Sequence, residues 1–200
     1  MIFCIGNGPS LTGFNFKRLN FYPTIGCNHI IYEYPEVDSM VALDENFCKL
    51  NHEQINKFKG IKYIHTRAIT PEIDFKNLIP IESHYKEPFI NNPYLGEKVY
   101  LGYMSGITAL NIAIEMRYYL YPNRNIYLLG HDLYGNHFYQ RPEVEEYNER
   151  NKDLDKIAAM YNRFIPLCDS LGINVYNCSK DSRIKSFEYI DIEDAFKKDL

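Results

Sequence analysis

A chain of 200 residues is long enough for one domain with its own apolar core. Its 46 % apolar and 24 % charged residues are those of a globular protein, not of a disordered one. The formal charge of −4 excludes an extended basic surface of the kind that neutralises a nucleic-acid backbone, so no nucleic acid is expected as a partner. No apolar run reaches the roughly 18 residues of a membrane helix, and the first strand lacks the basic flank of a signal peptide. A cytoplasmic chain with no membrane span is the expectation. Five widely spaced cysteines, Cys4, Cys27, Cys48, Cys168 and Cys178, sit mostly inside apolar patterns and read as buried thiols, not as a disulfide framework or a zinc knuckle. Eighteen tyrosines suit sites for bases or sugars, although many must simply sit on strands and helix flanks.

In chain order, Met1 to Ile5 is an apolar run that enters the turn Gly6-Asn7-Gly8, followed by Pro9 and Ser10. This reads as a buried strand, then either an ordinary tight turn or a loop whose backbone amides can approach a ligand and hold phosphate oxygens, then a helix start. Tyr22 to Cys27 reads as a second strand ending at Asn28, and Ser39 to Leu43 as a third ending at Asp44. Residues Glu45 to Phe58 have the period of an amphipathic helix through Phe47, Leu50, Ile55 and Phe58, closed by Gly60. A fourth strand over Ile61 to Ile64 ends at His65.

From Thr70 to Lys98 the pattern dissolves, interrupted by Pro71, Pro80, Pro88 and Pro93, and 66–98 reads either as a lid or small insertion or as an irregular surface crossing. Ser105 and Gly106 open a helix carrying Ile107, Leu110, Ile114 and Tyr118 on one face, which Pro122 ends. Asn125 to Gly130 is a continuous apolar strand ending at His131 and Asp132. A long helical segment is expected from Glu143 to Leu171 with a kink at Pro166, then Gly172, a last strand over Ile173 to Tyr176 ending at Asn177, and a short helix around Asp191 to Lys197. Strands alternating with helices predict an α/β fold: a Rossmann-like, doubly wound, mostly parallel sheet with helices on both faces, in a single domain.

In open α/β sheets ligands bind beyond the carboxyl ends of the strands. Here those ends carry Asn7, Asn28, Asp44, His65, Asp132 and Asn177, a set that reads as one polar rim. Asparagines offering both a donor and an acceptor, with Ser105 and Gly106 at a helix start, suit a base, a ribose and phosphates. No P-loop sequence is present and G-x-G-x-x-G is not completed, so the common nucleotide motifs are excluded. Asp132 reads either as a general base, a magnesium ligand or a ribose-binding carboxylate, or as a structural cap. His131 and His137 flank it, but two imidazoles and one carboxylate fall short of a zinc site, and no metal is assigned. His137, in an aromatic-rich loop, reads either as a surface histidine or as a candidate proton carrier.

The Ile-Gly-Asn-Gly-Pro-Ser-Leu opening, Gly26-Cys27-Asn28, Ala42-Leu43-Asp44, Ser105-Gly106, Tyr127 to Leu133, and Gly172 to Asn177 with Ser182 together resemble, in order, one superfamily. It includes bacterial sialyltransferases of the Rossmann-like, CMP-sugar-using type, flagellin-modifying glycosyltransferases and archaeal 6-hydroxymethylpterin pyrophosphokinases. The resemblance runs from residue 1 to about Phe187 and is weakest across 66–98. By position, the sialyltransferase branch implies that Gly6, Asn7, Gly8 and Ser10 hold the CMP part of a sugar donor. Asn28, Asp44, Ser105, Gly106 and Gly130 complete the nucleotide site in this reading. Tyr134 and Tyr139 would hydrogen-bond the departing phosphate.

Two positions depart from that branch: Gly102 stands where an arginine is expected before Ser-Gly, and the last histidine is His137, with none farther downstream. The resemblance therefore implies a transferase with His137, Asp132, Tyr134 and Tyr139 as catalytic candidates, a CMP-sugar donor, a glycan or other hydroxyl acceptor, and no cofactor. It leaves a homo-oligomer open. The pterin branch implies instead pyrophosphate transfer from ATP, with magnesium held by Asp44 and Asp132. A nucleotide- or sugar-binding protein without turnover is the third alternative.

Overall fold

The computed structural model describes residues 1–84, 87–90, 98–100, 104–122, 125–134, 137–138 and 153–198. Among the described residues nine strands form one sheet: β1 (Ile2–Ile5), β2 (Thr24–Cys27), β3 (Ser39–Ala42), β4 (Ile61–His65), β5 (Leu78–His84), β6 (Lys98–Tyr100), β7 (Ile126–Leu129), β8 (Val175–Asn177) and β9 (Glu188–Tyr189). Their order is β6-β5-β4-β3-β2-β1-β7-β8-β9 and every pairing is parallel. Strands β2 to β6 thus build outward from one side of β1 and β7 to β9 from the other, which puts the topological switch point between β1 and β7.

The apolar runs β1 and β7 are buried throughout because helices cover both faces. Strand side chains alternate between the two cores. Ile2, Cys4, Ile25, Val41, Ile126 and Leu128 pack with the helix α4 (Ser105–Tyr119) and with Ala158, Tyr161, Phe164 and Cys168. Phe3, Ile5, Met40, Ile64, Tyr127 and Leu129 face the opposite core, which holds Ile30, Phe47, Ile55 and Ala195. The helices over that second core are α1 (Ile30–Glu33), α2 (Glu45–Leu50), α3 (His52–Lys57) and, near the C-terminus, α7 (Ile192–Lys198). Among the described residues no helix is long and apolar enough to cross a membrane. The five cysteines are free, and all but Cys178 are buried.

Four local expectations change. The helix expected over 45–58 is two helices, because Asn51 stands between α2 and α3 at φ −116° and its amide Nδ2 donates to the Phe47 carbonyl at 2.8 Å, competing with the backbone ladder. Its Oδ1 also accepts the Tyr32 hydroxyl at 2.7 Å. The helix start at Pro9 and Ser10 is only a three-residue 3-10 turn, Pro9–Leu11, which ends where Thr12 leaves the helical region (ψ 118°) and Gly13 follows at φ 76°.

The irregular segment expected at 66–98 contributes strands to the main sheet: β5 pairs with β4 over Leu78 to Ile81, and β6 pairs with Glu82 to His84. Pro80 is tolerated because β6 lies against β5 only beyond it, leaving the missing N–H at an open edge. The expected segment Glu143 to Leu171 lies outside the described residues up to 152. From there it runs as α5 (Leu154–Met160), a 3-10 turn (Tyr161–Phe164) and α6 (Ile165–Leu171). Pro166 lies in the first turn of α6, where a proline fits, so the break precedes the proline. Gly172 closes α6 at φ 59°, as its position predicts.

Phe3 is fully buried and meets Tyr22, Tyr127 and Phe196 at ring-centroid distances of 5.4, 5.6 and 5.7 Å, so it ties the first strand to the last helix. Phe3→Ala is expected to cost about 3–5 kcal/mol by urea denaturation, the range for an emptied aromatic site.

Candidate functional site

The polar strand ends at the switch point are built on an extension of the β1–β7 ladder. Beyond Ile5 the chain keeps pairing with the end of β7: Gly6 N donates to Leu129 O at 2.7 Å and Gly8 N to Gly130 O at 2.8 Å. The next alternate amide, Ser10 N, donates to Asp132 Oδ2 at 2.7 Å, and Ser10 Oγ donates to Oδ1 of the same carboxylate at 2.7 Å. Since the Ser10 hydroxyl proton is used there, Ser179 is the donor in the 3.0 Å contact between the two serine hydroxyls. Asp132 is 1 % exposed and both its oxygens are engaged, which is how a buried carboxylate is tolerated. Of its sequence-level readings, the geometry favours the structural cap.

The glycines expected to cradle a ligand are required by this internal packing. A Cβ on Gly8 would collide with the Asp132 side chain, and one on Gly6 with the Gly130 carbonyl. A Cβ on Gly106 would come within 3.2 Å of the Tyr161 hydroxyl and 3.3 Å of the His131 ring. Gly130 itself has φ 66° and faces Leu11. The amides of Gly6, Gly8 and Ser10 are therefore not free to hold phosphate, contrary to the expectation from the glycine turn.

His131, 3 % exposed, points inward. Its Nδ1 pairs with the Tyr161 hydroxyl at 2.9 Å, and its Nε2 lies 3.5 Å from the Cys4 sulfur. Burial pulls its pKa down to about 4 despite the opposing pull of Asp132, so the ring is neutral near pH 7. The turn after β8 holds residues 131 and 132 from the other side: Ser182 Oγ donates to His131 O at 2.7 Å and Arg183 N to Asp132 O at 3.0 Å. Asn177 braces that turn by accepting Ser179 N at 3.0 Å.

Asn28, at the end of β2, adopts the left-handed conformation (φ 48°) and accepts a 3.3 Å hydrogen bond from Ser105 Oγ at the start of α4. The structure thus joins the turn after β1 to Gly130 and Asp132 after β7, Asn28 after β2 to Ser105, and Gly106 to His131, with Asn7 and Asn28 following neighbouring strands. Asp44 caps α2 by accepting Phe47 N at 2.9 Å. His65 likewise serves its own turn, accepting Arg67 N at 3.3 Å.

His137 and Phe138 lie over the glycine turn: His137 Nδ1 and Phe138 N each donate to Asn7 O at 3.1 Å. A carbonyl only accepts, so His137 Nδ1 carries a proton and Nε2 is the basic nitrogen of the neutral ring. Asn7 Oδ1 is buried without a hydrogen-bond partner among the described residues. Tyr134 is half-buried, and burial with Asp132 and Asp181 nearby raises its pKa, keeping the phenol a donor. Tyr139 and Gly102 lie outside the described residues. Among the described residues no group of three or more His, Cys, Asp or Glu side chains could hold a metal ion.

Sequence reasoning missed Tyr161 and Ser179. Tyr161 fits the apolar period and reads as core, which it is; only the fold reveals that its hydroxyl meets His131. Ser179 lies in a polar turn with no pattern to set it apart. Comparison with protein-family models, curated proteins and solved structures found no match to this chain.

The neutral His131 makes stability pH-dependent. Between about pH 6.5, the ordinary value, and pH 4 only the unfolded chain takes up this proton, so stability is full above 6.5 and falls as pH drops toward 4. The loss assigned to this group is about 3 kcal/mol. Urea midpoints from pH 7.5 to 4.5 should show that part of the acid loss missing from His131→Gln.

Proposed function

We propose that the chain is a glycosyltransferase-like enzyme that binds a nucleotide-activated sugar, a CMP-nonulosonate by resemblance, at the β1–β7 switch point. The observation that supports this best is the placing of neutral, bifunctional side chains after adjacent strands, Asn7 after β1 and Asn28 after β2, with Asn28 bonded to Ser105 of α4. Such groups match the hydrogen-bonding edges of a base and a ribose.

In this reading an acceptor hydroxyl attacks the anomeric carbon and the nucleotide phosphate leaves with the electrons of the broken C–O bond. His137 Nε2 takes the acceptor proton, its ring oriented by the Nδ1 bond to Asn7 O. Tyr134, protonated and half-buried, donates to the departing phosphate. Pyrophosphate transfer from ATP is supported less: both Asp132 oxygens are engaged by Ser10, and an Asp44 oxygen by the Phe47 amide, where magnesium ligands would be needed.

Thermal shift with CMP, CDP and ATP, each with and without magnesium, tests the reading on wild type and Asn7→Ala. CMP at a hundredfold excess over its Kd should add about 2.7 kcal/mol, a rise of about 5–10 °C, without magnesium and less in the variant. A response to ATP with magnesium alone sinks it in favour of the pyrophosphokinase. CMP binding without hydrolysis of a labelled CMP-sugar over long incubation would leave a binding protein.

A further inference from the structure

An anion pocket at the start of a turn is made of backbone N–H groups and a hydroxyl, aimed at one point. The 8–11 turn has that construction: the Ser10 amide and the Ser10 hydroxyl converge, and the glycine at position 8 puts no Cβ in the space next to them. The point they converge on is occupied by the carboxylate of Asp132, at 2.7 Å from each donor and 1 % exposed. The neighbouring amides at 6 and 8 are held by carbonyls of the β7 end, and the 3-10 turn Pro9–Leu11 is too short to add a helix dipole. Among the described residues no lysine or arginine side chain donates a hydrogen bond to residues 6–10, whereas the side chains offered alongside, Asn7 and Asn28, are neutral.

We infer that Asp132 is a built-in anion filling the amide pocket of the 6–10 turn, so that this turn faces the uncharged nucleoside part of a ligand and any phosphate is held off its amides. The second half of this inference rests on the nucleotide reading above; the first does not. A phosphate at the turn would have to expel a buried carboxylate from two charge-assisted hydrogen bonds and would then lie beside it. A base amino group or a ribose hydroxyl meets no such repulsion and can pair with a side-chain amide.

The experiment has two arms. In the first, thermal stability is followed with inorganic phosphate against sodium chloride at equal ionic strength. Wild type should respond equally to the two salts, while Asp132→Ala should melt lower and recover with phosphate but not with chloride. Specific stabilisation of wild type by phosphate that Ser10→Ala removes overturns the inference. The wild-type comparison decides this even if Asp132→Ala does not fold.

In the second arm, cytidine and CMP are titrated by calorimetry into wild type and Asn7→Ala. A loss of about three- to tenfold, equal for the two ligands, places the nucleoside at Asn7. A loss confined to CMP places phosphate there and overturns the inference. If neither ligand binds wild type, the nucleotide reading fails with the nucleoside half of the inference, while the phosphate arm still decides on Asp132.

Discussion

The contact between Asp132 and Ser10 is the constraint around which the switch point is arranged. In a parallel sheet the loops after β1 and β7 leave on opposite sides of the order reversal, and the ladder between them would ordinarily stop with the strands. Here it continues through Gly6, Gly8 and Ser10, each on an alternate residue, as far as a carboxylate takes the place of a carbonyl. The exchange matters because a carboxylate has two oxygens and accepts from both the amide and the hydroxyl of Ser10. The backbone of residues 131 and 132 is held in turn by Ser182 and Arg183, so two separate segments, the Ser10 turn and the turn after β8, converge on one buried dipeptide.

That arrangement explains the glycines better than a ligand does. Position 8 has no Cβ because Asp132 fills the space, position 6 because the Gly130 carbonyl does, and position 106 because His131 and Tyr161 press against the start of α4. His131 joins β1, through Cys4, to the 3-10 turn after α5, through Tyr161, and is kept neutral by burial. The surfaces left for a ligand are then the side chains of Asn7 and Asn28, with Ser105 behind Asn28 and His137 over the Asn7 carbonyl.

How much of this was legible in the residues varies with the range of the interaction. The strands at 2–5 and 126–129 are plain from unbroken apolar runs, because burial on both faces removes the polar alternation. The split at Asn51 and the strand bearing Pro80 were not legible: one depends on a side chain reaching Phe47 and Tyr32, the other on which edge of β5 has a neighbour. At the site, Asn7, Asn28 and Asp132 were found from strand ends and Ser105 with Gly106 from a helix start; Asn28 does meet Ser105 and the turn after β1 does meet Asp132, while Asp44 was found in the same way but serves its own helix. Roles were less legible than places, since an aspartate reads alike whether it meets a metal, a substrate or a serine.

By itself the sequence determined the fold class and the chain positions at which a polar rim would form, because apolar period and turn chemistry are local properties of the chain. Only the tertiary structure decided the strand order, and with it that residues 6–10 meet residues 129–132 across more than a hundred positions of sequence. It also decided what those groups do. Whether an amide is free for a ligand or already bonded, and whether a glycine makes room for a phosphate or for an aspartate, depends on a partner that no local pattern names.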